Sequence, residues 1–249
     1  MSKINFIRFP DLNNANQDGL LATGGDLSVD TLVSAYSQGI FPWFNQNQPI
    51  LWWSPNPRLV LFPNEVKISR SLAKCLRKKH YKVTVNKAFE EIIENCASRG
   101  QKPAQRPSHR ADFVQAIEET WITQSMQEAY IALHQQGYAH SIEVWQQDTL
   151  VGGLYGLALG KVFFGESMFS SATDASKVAL TSLCTWLRAH NWKVIDCQVS
   201  SSHLLSLGAR EIARPEFISY LQGIDINRPE LNFAEEITQY TPDSVINKS

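Results

Sequence analysis

No two of the four cysteines, Cys75, Cys96, Cys184 and Cys197, stand in a CxxC spacing, and the six histidines form neither HxxxH nor HExxH. The sequence therefore offers no framework for a disulfide-stapled fold or a structural zinc, and the thiols read as reduced, with no metal site. No apolar stretch approaches the ~20 residues that cross a bilayer. The longest uncharged apolar run, Thr149 to Gly160, is broken by four glycines. The N-terminal MSKINFIRFPDLNN lacks the continuous apolar core of a signal peptide, so a cytoplasmic chain without membrane contact is expected. Net charge is nearly absent: 23 Lys+Arg against 24 Asp+Glu leave −1, which argues against a uniformly basic nucleic-acid binder and a disordered acidic chain alike. The glycines of VGGLYGLALG do not form GxGxxG, and GxxxxGK[ST] and GxSxG do not occur. Dinucleotide binding, P-loop chemistry and serine hydrolysis thus have no anchor.

What the chain does have is length and contrast. Its 249 residues, 43% of them hydrophobic, suffice for a real core in one large domain or two modest ones. The near-zero charge is an average of unlike segments. Residues 65–110 hold 12 basic and 4 acidic groups, residues 111–249 hold 8 basic and 16 acidic, and residues 1–64 are close to balance. A middle segment at +8 and a later one at −8 suggest two unlike partners.

Ser28 is placed to N-cap a helix with Val29, Leu32, Val33 and Tyr36 on one face and Gly39 as its stop. Prolines 42, 49, 55, 57 and 63 then confine any strand to short pieces. Phe41, Trp43, Phe44, Trp52 and Trp53 crowd this segment, either as a small aromatic core or as platforms for a nucleobase. From Ser69 the spacing predicts a helix with Arg70, Lys74, Arg77 and Lys78 on one face and Leu72, Cys75 and Leu76 on another. No acid between Val66 and Phe89 offsets this face, so it reads as a solvated surface or as a grip on phosphates. The loop Arg99–Arg110 adds further basic side chains.

A third helix after Thr123 carries Met126, Ala129, Tyr130 and Leu133 and ends at Gly137. The period then changes. HSIEVWQQ, LVGGLYGLAL and KVFFGESMF read as an antiparallel meander with turns at Asp148–Thr149 and Gly160. Thr173 or Asp174 caps the helix ASKVALTSLCTWLRAHN, and WKVIDCQV returns as a strand, giving an α+β layer. On that strand a period of two puts Asp196 and Gln198 on one face and Cys197 on the other. An acid beside an amide can hold and pass a proton, or serve as a polar pair at a strand edge. Glu166, flanked by VFFG and SMF, needs a partner.

Taken in order, GLLATGGDLS, AYSQGIFPWF, ILWWSPNPR, TWIT, YAHSIEVW, LVGGLYG, FFGESMFS, DASKVAL and IDCQV resemble the leucyl/phenylalanyl-tRNA–protein transferase family from about Gly19 to Leu221. The loop between Cys96 and Trp121 is longer than in that family, and the tail after Leu221 matches nothing.

The resemblance implies a small N-terminal domain, residues 1–64, followed by a GNAT-like α/β domain, residues 65–249. It implies transfer of Leu, Phe or Met from aminoacyl-tRNA to the N-terminal Arg or Lys of a protein, marking that protein for degradation, by a monomer that needs no cofactor.

Asp196 and Gln198 match the family's catalytic pair, and Glu166 matches a residue that binds or orients the substrate. Trp43 and Trp121 match aromatics near the terminal adenosine, with Tyr36 and Tyr130 aligned to family tyrosines. Leu154, Phe163, Met168, Leu183, Leu187 and Ile195 match the amino-acid pocket, and Arg70, Lys74, Arg77 and Lys78 would hold the tRNA backbone.

The donor is an activated ester, so holding amine and ester in attack geometry is the main task. A free Asp lies about four pKa units below an α-amine, so Asp196 acts only once the N–C bond is forming, through Gln198. Two alternatives stand beside this reading: an acyl-CoA-dependent N-acetyltransferase, disfavoured because MFSSATDASK has no glycine to cradle a pyrophosphate, and a non-catalytic RNA-binding module.

Overall fold

The computed structural model describes residues 3–98 and 122–229. In chain order these form β1 (Leu20–Thr23), α1 (Val29–Ser37), β2 (Phe41–Pro42), β3 (Leu51–Trp53), β4 (Arg58–Leu61), α2 (Arg70–Arg77), β5 (Lys82–Val85) and α3 (Phe89–Ala97). There follow α4 (Gln124–Gln135), β6 (Ala139–Gln146), β7 (Thr149–Leu159), β8 (Val162–Ser170), α5 (Ala175–Ala189), β9 (Val194–Gln198), α6 (Ser202–Ser206), β10 (Arg210–Ile212) and α7 (Arg214–Ser219). The class is α+β, as the sequence led us to expect.

A three-stranded sheet of order β1-β3-β2 precedes a seven-stranded sheet of order β10-β4-β9-β8-β7-β6-β5. All pairs in the large sheet are antiparallel except β8 with β9, which are joined by α5. That parallel pair is short: it registers only Val162 to Phe164 against Val194 to Asp196. Beyond Phe164 no β8–β9 pairing continues, and β8 runs on beside β7 alone. The parting of β8 from β9 opens the cleft described below. The large sheet also takes β4 as an interior strand, so it begins before residue 64, ahead of the division expected from the family resemblance.

Two apolar cores flank the sheet. One joins α1, α3, α4 and the N-terminal segment through Tyr36, Ile92, Met126, Tyr130, Tyr155 and Phe164. The other joins α2 and α5 through Leu72, Leu76, Leu154, Phe163, Leu183 and Ile195. Alternation along β7 serves both, with Leu154 facing one core and Tyr155 the other.

Local chemistry explains the helix starts. Ser28, Ser69 and Thr123 accept the N–H groups of Thr31, Leu72 and Met126, and Gly39 follows α1 at φ 78°. At α5 the expected side-chain cap does not form. Asp174 sits at the cap position with φ 60°, but its carboxylate turns to Lys177 Nζ at 2.8 Å, and Ser170 Oγ accepts the Ser176 N–H instead.

Gly156 lies where β8 crowds β7. A Cβ there would meet the Phe164 carbonyl oxygen at 2.1 Å and the Phe163 ring at 2.7 Å. Gly156→Ala should therefore cost about 1–3 kcal/mol through forced backbone movement, read as a lowered thermal midpoint by circular dichroism.

Candidate active site

An apolar cavity of about 350 Å³ occupies the parting between β8 and β9. Leu154, Phe163, Met168, Leu183 and Ile195, five of the six residues assigned to the amino-acid pocket, line it. The sixth, Leu187, is fully buried in the core beneath α5 and is not among the lining residues. Phe41, Pro42 and Trp43 from the N-terminal segment contribute another wall, and Trp43 is 42% exposed. Glu166, Ser167, Cys197, Gln198, Ser201 and His203 supply polar groups to a mainly apolar lining.

Glu166 reaches the cavity because β8 carries one extra residue. Tyr155 pairs with Ser167 and Gly156 with Gly165, so Glu166 faces no partner across the ladder and is turned by a bulge. Its Oε1 accepts the Tyr36 hydroxyl at 2.7 Å and Gln198 Nε2 at 3.1 Å, and its Oε2 accepts the Tyr130 hydroxyl at 2.8 Å. The two tyrosine hydroxyls are also hydrogen-bonded to each other. Tyr36 and Tyr130 thus stand behind the carboxyl and are absent from the cavity lining. Burial pushes the Glu166 carboxyl up to about 7, against the two tyrosine hydrogen bonds that favour its charged form; the Asp196 charge adds to the rise and Arg58 opposes it. Tyr36, Tyr130 and Tyr155 are all pushed well up, chiefly by burial and next by the charge of Glu166.

Asp196 occupies a different place from the one its spacing suggests. It is fully buried and absent from the cavity lining, and it is held by Arg58 in a two-pronged ion pair, Nε to Oδ1 at 2.7 Å and Nη2 to Oδ2 at 2.6 Å. The Arg58 guanidinium lies 4.7 Å from the ring centres of both Phe41 and Phe217 and donates through Nη1 to the Gly39 carbonyl at 3.2 Å. Against β4, Leu59 pairs with Gln198 and Val60 with Asp196, so Cys197 is an extra residue and the period of two fails. Asp196 Oδ1 accepts the backbone N–H of Gln198 at 3.0 Å, and Gln198 adopts φ 58°. The Gln198 side chain donates to Glu166, so a side-chain relay from Gln198 to Asp196 is replaced by a backbone contact. Asp196 holds Gln198; Gln198 meets Glu166.

Arg70, Lys74, Arg77 and Lys78 are all exposed, at α2 and its C-cap, while Leu72 and Leu76 are buried beneath them. Trp121 lies outside the described residues, as does the basic loop from Arg99. Among the described residues no cluster of three or more His, Cys, Asp or Glu is placed to hold a metal ion, and no helix is long and apolar enough to cross a membrane. Sequence reasoning missed Arg58, Cys197 and the α6 residues His203 and Leu204 that also line the cavity. For Arg58 a signal existed. A lone cation in PRLVLFP needs a buried counter-charge or an exit to water, and Asp196 in VIDCQV poses the same question from the other side.

The family model for the leucyl/phenylalanyl-tRNA protein transferase matches residues 60–222, and a model for the N-terminal domain of the same family matches residues 25–56. The chain belongs to this family. A leucyl/phenylalanyl-tRNA–protein transferase of Pseudomonas fluorescens strain Pf-5 is 54% identical over 88% of this chain and 91% of its own. One from Nitrosomonas eutropha is 52% identical over 90% of each. Among solved structures, the crystal structure of FemX aligns with a TM-score of 0.40 and 11% identity over 78% of this chain and 71% of its own.

Two predictions follow from the buried charges. Arg58→Met leaves Asp196 without its counter-ion and should cost about 3–5 kcal/mol, whereas Arg58→Met with Asp196→Leu should recover most of that loss, both read from urea unfolding. For Glu166 the folded state binds its proton more tightly than the unfolded one, whose carboxyl titrates in the ordinary range. Stability from this group is therefore fully present below about pH 4.5 and is lost as pH rises to about 7. The loss amounts to about 3 kcal/mol. Glu166→Gln should abolish that part of the pH dependence, seen as the difference between wild-type and variant unfolding free energies across this window.

Proposed function

We propose that this chain is an aminoacyltransferase that moves Leu, Phe or Met from aminoacyl-tRNA to the N-terminal Arg or Lys of a protein, forming a peptide bond. The observation that carries the reading is the cavity itself: an apolar chamber of about 350 Å³ with Glu166 and Gln198 in its wall. Most of its lining is aliphatic, aromatic or thioether, with Ser167, Ser201 and His203 among the polar exceptions, which suits an unbranched-Cβ apolar side chain, and each methylene of fit is worth ~1–3 kcal/mol.

The donor ester is already activated, so the protein contributes placement. In this reading the side chain of the transferred residue fills the apolar chamber, Trp43 stacks on the terminal adenosine, and the reacting carbonyl lies beside Glu166 and Gln198. Gln198 is oriented by its amide N–H to Glu166, leaving its carbonyl oxygen to accept an N–H of the incoming amine. Arg58 and Asp196 touch neither substrate. They hold the Gln198 backbone in place and link the Phe41 wall to the β9 wall.

The exposed cations at α2 neutralise tRNA phosphates, supplying affinity without reading bases. An acidic later half suits an acceptor with a cationic N-terminal side chain. At the start of α5, where an acyl-CoA pyrophosphate would require free backbone N–H groups, Ser170 Oγ already takes the Ser176 N–H and the Asp174 carboxylate lies alongside.

Labelled Leu-tRNA and an Arg-starting peptide, with acetyl-CoA as the competing donor, test the reading. We expect leucine at the peptide N-terminus and no acetylation. Intact RNA binding with no label on the peptide would sink it. Lys74→Glu with Arg77→Glu should weaken tRNA binding and flatten its dependence on salt by about two phosphate contacts; an unchanged slope would remove this face from the tRNA site.

A further inference from the structure

Three oxygen pairs around Glu166 lie at hydrogen-bond distance: Tyr36 Oη with Oε1, Tyr130 Oη with Oε2, and the two tyrosine hydroxyls with each other. Oxygens held this close repel unless a proton lies between them, so three contacts need three protons. Each phenol supplies one. The third belongs to Glu166, whose O–H closes a ring by donating to Tyr36, which donates to Tyr130, which donates back to the other carboxyl oxygen. When Glu166 ionises, both phenols turn their protons to the carboxylate and the tyrosine–tyrosine link loses its proton. The ring is therefore a three-membered store with room for one exchangeable proton, and of its three members Glu166 is the one that lines the cavity. Asp196 has no such freedom: both its oxygens are committed to Arg58, and it does not reach the cavity.

We propose that Glu166, backed by Tyr36 and Tyr130, carries the proton of the transfer step, and that Asp196 takes no proton. This rests on the transferase reading above. The acceptor nitrogen forms a bond to the ester carbonyl carbon, and the carbonyl π electrons move to oxygen. The proton on nitrogen passes to the ionised Glu166 carboxylate, completing the ring. As the carbonyl re-forms, the bond from carbon to the ribose oxygen breaks, and that oxygen leaves with the proton from Glu166. The products are an amide and a free ribose hydroxyl, and Glu166 returns to its ionised form. Gln198, an amide that cannot take up a proton at these pH values, orients the nitrogen. The groups facing Glu166 are Tyr36 of α1, Tyr130 of α4, Tyr155 of β7, Asp196 of β9 and Arg58 of β4.

The test is single-turnover transfer of leucine from Leu-tRNA to an Arg-starting peptide between pH 5.5 and 9, with wild type, Tyr36→Phe, Tyr130→Phe and Asp196→Asn. A parallel carboxyl titration by NMR uses protein labelled at glutamate, with Glu166→Gln identifying the signal. The wild-type rate should climb with pH along a limb near 7 that coincides with the Glu166 carboxyl signal. Each Phe variant removes a hydrogen bond to the charged form and should move both limb and signal upward, making transfer about tenfold slower at pH 6 and approaching the wild-type rate above pH 8, for a shift of about one unit. The acceptor amine adds its own limb near ~8, which these variants leave in place. Asp196→Asn should lower the rate and retain a Glu166-dependent limb, moved downward because the Asp196 charge no longer adds to the rise.

A limb unmoved in both Phe variants, a limb abolished by Asp196→Asn, or a Glu166 signal titrating in the ordinary carboxylate range would each overturn the assignment. If one Phe variant fails to fold, the other variant and the wild-type titration decide. Absence of transfer by wild type at every pH would overturn the transferase reading and this assignment with it, whereas transfer without a Glu166-dependent limb would overturn the assignment alone.

Discussion

The ion pair between Arg58 and Asp196 is the constraint on which the rest of the site depends. Two charges removed from water are tolerated only when each is the other's partner and their remaining hydrogen-bonding groups are met. Here the guanidinium spends Nε and Nη2 on Asp196 and Nη1 on the Gly39 carbonyl, between the faces of Phe41 and Phe217. One cation therefore binds together β4, the end of α1, β2, α7 and β9. The free oxygen lone pairs of Asp196 then hold the Gln198 amide, and Gln198 reaches Glu166. Removing the pair would loosen two walls of the cavity together.

Both carboxyls were visible in the sequence, but their division of labour was not. Asp196 and Gln198 alternate correctly for a regular strand, and a regular strand would have put both in the cleft. A single extra residue at Cys197 cancels that inference, since strand parity is a global property that one local insertion inverts. Glu166 shows the same effect on β8. The β8 bulge has no sequence signature beyond the adjacent Gly165 and the β9 bulge has no glycine beside it, and so pocket membership of both Phe163 and Met168, which regular alternation would separate, came from family likeness and not from period.

Much of the framework was legible because it is set by short-range chemistry. The cap at Ser28, the helix starts after Ser69 and Thr123, the stop at Gly39 and the change to strand periodicity at His140 each rest on a few adjacent residues, and each occurs in the structure. What depended on long-range pairing was not legible. The strand Arg58–Leu61 joins the large sheet through β9 and β10, which lie more than a hundred residues further on. The cap at α5 passed to Ser170 because β8 brings that hydroxyl back to the helix start, a proximity that no local pattern of Thr173 or Asp174 discloses.

The bulge at Glu166 has a consequence for how this protein can change. Before it, Val162 and Phe164 face the core under α1 and α4; after it, Phe169 does, while Met168 faces the cavity. The extra residue thus acts as a phase shift that lets Phe163 before it and Met168 after it both face the cavity, and Phe164 and Phe169 both face the core. Loss of a residue from this stretch would exchange Met168 and Phe169, placing a ring in the chamber and a thioether in the core in one event. Cavity shape and scaffold integrity are consequently coupled through the length of β8, so variation in specificity is confined to side-chain exchange at fixed strand length.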